Sequence, residues 1–163
     1  MAAGLGVNMC ADLWSFALST YARPGVEAAC LSLQEQGADV CLLLCGAWLE
    51  QRGVALTAER IEALQQIARP WQAQVIEPLR QVRVQWRAMA GKDERLAALR
   101  ERVKALELDA ERQLLMRLDV LAQQWPSNEG ADQQRWLEGL AAEDAANLDH
   151  DALQQLRVMA TGT

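Results

Sequence analysis

Val40-Cys41-Leu42-Leu43-Leu44-Cys45-Gly46-Ala47-Trp48-Leu49 contains no charged residue and no polar one stronger than a thiol. The run is half of the roughly 20 apolar residues a helix needs to cross a bilayer. Leu and Ala favour helix over strand, and a helix that is apolar on nearly every side belongs at the centre of a bundle. Asp39 stands where an N-cap is wanted and Gly53 where a left-handed residue ends a helix. A central helix is therefore expected over about residues 39–51, with Gly46 permitting a close crossing by a neighbour.

Upstream, Leu13, Trp14, Phe16, Ala17, Leu18 and Tyr21 give a broad apolar face to a helix from about Asp12 to Ala22. Arg23-Pro24-Gly25 ends it, and Pro24 is expected as the first residue of a second helix reaching Gln36, capped by Gly37. Residues 1–10 read as a loose start. Downstream, Thr57 caps a fourth helix carrying Ile61, Leu64 and Ile67. Arg69-Pro70 is expected to break it and to start a fifth that runs to about Ala90, irregular near Gln74–Glu77 because Pro78 lies inside. After the Gly91-Lys92-Asp93 turn, a three-four apolar pattern from Leu96 to Trp125 predicts the longest helix, about 45 Å for ~30 residues. Shorter helices are expected at Asp132–Leu140 and from an Asp149 cap to Met159, with Leu148 and Leu153 as a hydrophobic staple.

The composition agrees. Of 163 residues, 51% are hydrophobic and 23% charged, and the strand formers are scarce: one Tyr and one Phe stand beside six Trp. The reading is all-α: a single-domain bundle of about seven or eight helices with a long antiparallel hairpin over residues 70–125. One domain spans 1–163, residues 127–163 forming a more polar C-terminal appendage. No segment is long and apolar enough for a membrane span, and the N-terminus lacks the basic and apolar regions of a signal peptide, so a cytoplasmic location is expected.

Charge is unevenly spread beneath the net −6. Residues 69–104 hold nine basic and four acidic side chains, whereas residues 105–163 hold four basic and eleven acidic. Arg80, Arg83 and Arg87 recur at three and four and form one stripe. Three guanidiniums on adjacent turns need partners. These are either acidic side chains of the C-terminal segment, or Asp93 and Glu94, or an external anion or acidic partner surface. Overall acidity and the absence of a basic helix-turn-helix argue against nucleic acid.

Catalytic and metal constellations are wanting. Cys41 and Cys45 are four apart but no second ligand pair accompanies them, so buried thiols are expected with Cys30. His150, the one histidine, lies among helix-opening aspartates. No GxSxG elbow, phosphate-cradling glycine loop or HExxH helix occurs, and no two facing carboxylate clusters could clamp a magnesium pyrophosphate. No cofactor, metal or catalytic residue is assigned, and whether the chain is an enzyme is left open. A second reading places Trp14, Tyr21, Trp48 and Trp71 around a small apolar pocket with Asp39 or Arg80 at its mouth.

Four elements occur in order: Leu13-Trp14-Ser15-Phe16-Ala17-Leu18, Tyr21-Ala22-Arg23-Pro24-Gly25-Val26, Gly37-Ala38-Asp39-Val40 and Pro78-Leu79-Arg80. Over residues 12–92 the chain resembles an uncharacterised proteobacterial family of proteins of this size, with members in pseudomonads and vibrios. The resemblance implies a bacterial, cytoplasmic origin and supplies no activity, cofactor or catalytic residue. The expected function is a non-enzymatic interaction or adaptor protein, using Arg80, Arg83 and Arg87 or the apolar stripe of the long helix. An unidentified protein partner is expected and a homodimer is admitted. The alternative is a small-molecule-binding protein or enzyme with the Trp-lined pocket.

Overall fold

The computed structural model describes residues 12–127, 135–141 and 150–160. Among these, every regular element is helical: α1 (Leu13–Tyr21), α2 (Val26–Glu35), α3 (Val40–Arg52), α4 (Ala58–Trp71), a π turn (Gln72–Ile76), α5 (Glu77–Gln85), α6 (Arg87–Ala90), α7 (Glu94–Ala122), α8 (Trp136–Leu140) and α9 (His150–Ala160). The run from α4 to α6 is one long rod that turns back at Gly91-Lys92-Asp93 into α7, giving the antiparallel hairpin. The fold is all-α, with about eight helices.

Caps set most boundaries. Asp12 accepts from Ser15 N (2.7 Å), Asp39 from Leu42 N (3.1 Å), Thr57 from Arg60 N (3.1 Å) and Asp93 from Leu96 N (3.1 Å). Each replaces a bond that a helix start leaves unmade. Gly37, at φ 94°, closes α2: its N–H bonds Gln34 O, and Ala38 N bonds Leu33 O. The cap expected at Asp149 and the staple partner Leu148 lie outside the described residues, as do residues 1–10 and the start of the helix expected from Asp132.

Two boundaries differ from expectation because of proline. Pro24 is not helical. Val26 N bonds Arg23 O across Pro24 and Gly25, and Gly25 has φ 88° and ψ −18°, so the pair occupies the corners of a type II turn. Arg69-Pro70 does not end a helix either: α4 runs through Pro70 to Trp71, and the irregularity falls at the π turn instead. Pro78, in the first turn of α5, has no N–H for a bond to Gln74 and a ring that clashes there. One extra residue per turn carries the ladder past it.

α3 lies at the centre, with Cys41 to Leu49 all buried. A Cβ on Gly46 would sit 2.9 Å from Leu140 Cδ1 and 3.5 Å from the Trp136 backbone, so the glycine admits α8 at close range. Trp136 is fully buried, stacks on Trp125 with ring centroids 6.0 Å apart, and donates its indole N–H to Val54 O (2.8 Å). α9 packs on α2 and α3, and Arg157 joins it to Glu50 (2.8 Å) and to Glu138. A single buried cluster draws on α1 to α4, the C-terminal half of α7, α8 and α9.

The hairpin departs from this pattern. From Glu77 to Leu106, thirty consecutive residues include none that is buried. α5 and α6 contact α7, the π turn and each other. Beyond a base where Leu79 packs on the core and Glu77 and Arg80 line a cleft with Asp39, these residues form a two-helix arm standing off the body.

Candidate functional site

Where the arm joins the body, Glu107 is buried at 6% exposure and accepts from two arginines. Arg83 Nε lies 2.5 Å from Oε1, while Arg83 Nη2 and Arg80 Nε lie 3.2 and 3.3 Å from Oε2. Arg80 also reaches Glu77 (2.9 Å), and Arg100 donates to Arg83 O (2.8 Å). The Glu107 bond holds the Arg83 guanidinium above its ordinary range. The arginine stripe is therefore divided. Arg80 and Arg83 turn inward and lock α5 to α7, while Arg87 is exposed and has no ion-pair partner among the described residues.

The partners are neither Asp93 nor Glu94. Glu107 does belong to the acidic segment from residue 105 onward. Its signal in the sequence was its position: Val103, Glu107, Ala110 and Leu114 are spaced four, three and four, so a carboxylate falls within the apolar stripe. A charge placed there must meet a counter-charge from the facing helix.

The four aromatic candidates do not converge. Trp14 and Tyr21 line a cavity of about 270 Å³ between α1, α2, α3 and α7, together with Cys30, Cys41 and Glu111. Trp48 is core, 2% exposed, with the Arg52 guanidinium 4.6 Å above its ring. Trp71 donates to Ala110 O (2.9 Å), carries Arg117 at 3.9 Å and borders a shallow cleft beside Pro70. Asp39 and Arg80 line a third, more polar cleft of about 590 Å³ with Gln72 and Glu77. The pocket read from the sequence is thus three separate concavities. Helix periodicity gives each Trp a face but not the neighbour that face meets.

Asp39 is held by the π turn, whose Gln72 Nε2 donates to Oδ1 (2.8 Å), in addition to its capping bond. Burial raises its carboxyl, against those hydrogen bonds and Arg80. Glu111 is also raised, to about 7, first by burial and then by the charge of Glu107. Burial also pushes the Cys30 thiol to about 11 and raises Cys41 and Cys45, so none of the three is a ready nucleophile. Among the described residues, no group of three or more His, Cys, Asp or Glu side chains could hold a metal, and no helix is long and apolar enough to cross a membrane. His150 is exposed at the start of α9.

No curated protein and no solved structure is significantly similar to the chain. One family model matches residues 12–118, so the likeness continues past the four sequence elements and through most of α7, taking in Glu107 and Glu111. That match covers well over half of the chain, which belongs to a protein family of unknown function, DUF2390.

Proposed function

We propose that the protein is a non-enzymatic interaction protein of the bacterial cytoplasm that docks an acidic partner protein on its hairpin arm. The observation that carries this reading is the arm itself, a helical hairpin of thirty residues with nothing buried. Two helices alone are marginal in water unless another surface covers their apolar face. Val84, Met89 and Leu99 are 57%, 53% and 47% exposed there. Around them, residues 77–106 hold eight basic and four acidic side chains. The rest of the chain holds eight basic and eighteen acidic, so the molecule is a basic arm on an acidic body.

That charge pattern selects the partner. Two such arms repel each other, which opposes pairing of arms between copies. The acidic body repels a phosphate backbone at long range, and exposed apolar side chains between the cations suit a protein surface. Arg87, Arg95 and Arg102 are the outward cations of the docking face, whereas Arg80 and Arg83 hold the arm in shape. Cys30, Cys41 and Cys45, the cysteines among the described residues, are free and buried, in accord with a reducing compartment.

A photo-crosslinking residue at position 84, with one at position 59 on α4 as control, tests the reading in bacterial cells. The expected result is an adduct with an acidic protein from position 84 alone, lost in the Arg87→Glu/Arg95→Glu/Arg102→Glu variant while its helical circular dichroism is unchanged. A nuclease-sensitive adduct, an adduct only with a second copy, or equal labelling from position 59 would contradict it.

A further inference from the structure

Exposed apolar side chains also gather at a second place, distinct from the arm. Leu18, Tyr21, Leu31 and Leu108 are each between 38% and 53% exposed, and all four line the 270 Å³ cavity between α1, α2, α3 and α7. Inside it Trp14 and Leu44 contribute further apolar wall, and the carboxyl of Glu111 is the acidic group. One turn earlier on α7, Glu107 is satisfied by two arginines. Glu111 has neither a hydrogen bond nor an ion pair with any described residue. A half-buried carboxylate without a partner is costly, and it either takes up a proton or meets a charge supplied from outside.

The charges around Glu111 indicate which sign is missing. Glu107 on its own helix, Arg80 and Arg83 from α5 and Asp39 at the head of α3 act on it, and Tyr21, Cys30 and Cys41 are the other titratable groups at the wall. The phenol and both thiols are raised by burial and stay neutral. With Glu27, which acts on Tyr21, and Arg112, which lies over the Trp14 ring, four carboxylates stand against three guanidiniums when all are ionised, and Glu111 is the one carboxyl lining the cavity. The Tyr21 ring also favours a cation, and the Trp14 ring already draws one, the Arg112 guanidinium 5.3 Å from its centroid.

We propose that this cavity binds a small amphiphilic amine, with its apolar body against Trp14, Tyr21 and Leu44 and its ammonium on Glu111. The volume suits on the order of nine non-hydrogen atoms at about 30 Å³ each. An apolar site with one oriented polar group is the usual design of a small-molecule pocket.

Phenethylamine and 2-phenylethanol, which differ in the charged group and little else, are the probes for calorimetry on the full chain. At pH 8 the amine should bind at least about tenfold tighter than the alcohol, as expected for one added ion pair in a partly desolvated site. Glu111→Gln should bring the two within a factor of about two, and the amine should shift the Trp14 indole resonance in the wild type. As pH falls from 8 to 6 the carboxyl takes up its proton and wild-type amine affinity should drop about tenfold, with the alcohol unaffected. Equal affinity for the two probes in the wild type, an amine preference that survives Glu111→Gln, or no binding of either probe to the folded protein would overturn the proposal. Should the variant not fold, the wild-type pH series decides alone: an amine affinity that stays level to pH 6 also overturns it.

Discussion

The body and the arm are built from similar helices, yet their helices are held in different ways. In the body, α3 is buried along nine consecutive residues, and α8 and α9 close over it with Trp136 and Leu156 fully buried. In the arm, no residue from 77 to 106 is buried, and the helices are tied at their base by the Arg80–Glu107–Arg83 cluster. The body is stabilised by apolar area removed from water, the arm by one buried charge network plus helix pairing. A segment that is held so lightly and still exposes Val84 and Leu99 is suited to receive another surface.

That contrast ranks the effects of substitution. Trp136→Ala removes the largest fully buried side chain and orphans Val54 O, and should cost about 4 kcal/mol in urea unfolding. Glu107→Ala strands the Arg83 guanidinium and leaves Arg80 with Glu77 alone, and should cost about 3 kcal/mol, with the loss of helical signal beginning in the arm. A value near zero for this variant would remove the distinction between base and tip of the arm.

Glu111 gives a change of opposite sign. Its folded carboxyl, near 7, lies above its unfolded value, so the folded state binds the extra proton between about pH 4.5 and 7. Stability from this group is full below that window and lost as pH rises through it. Glu111→Gln should therefore match the wild type at pH 4 and exceed it at pH 8, by on the order of 1 kcal/mol given the partial exposure of the side chain. Gly37→Ala, at φ 94° with no atom within 4 Å of the added Cβ, should cost about 1 kcal/mol from backbone strain alone. Smallest of all, Val84→Gln or Leu99→Gln should change stability by less than about 0.5 kcal/mol while weakening partner capture.

The sequence carried the body more fully than the arm, for physical reasons. α3, its Asp39 cap, the Gly37 and Gly53 ends, the Thr57 cap and the hairpin turn are all local patterns, and each stands where periodicity and capping place it. The path through Pro70 and Pro78 was not legible in full. A proline announces a missing bond, but the choice between a break and a π turn depends on what the continued rod gains by packing on α7. Likewise Glu107 is 24 residues from Arg83 and 27 from Arg80, so no helical period joins it to them. Their inward orientation is decided by the facing helix. The division of Trp14, Trp48 and Trp71 among a cavity, the core and an open cleft is tertiary information of the same kind.

Hydrogen exchange followed by mass spectrometry on the purified chain tests the difference between body and arm most directly. Peptides from α3 and from residues 110–118 should be protected up to the global unfolding limit, while peptides within 79–106 should exchange at least about tenfold faster. The arm should gain protection only when the proposed acidic partner is added. Equal protection of arm and body in the isolated protein would contradict the account.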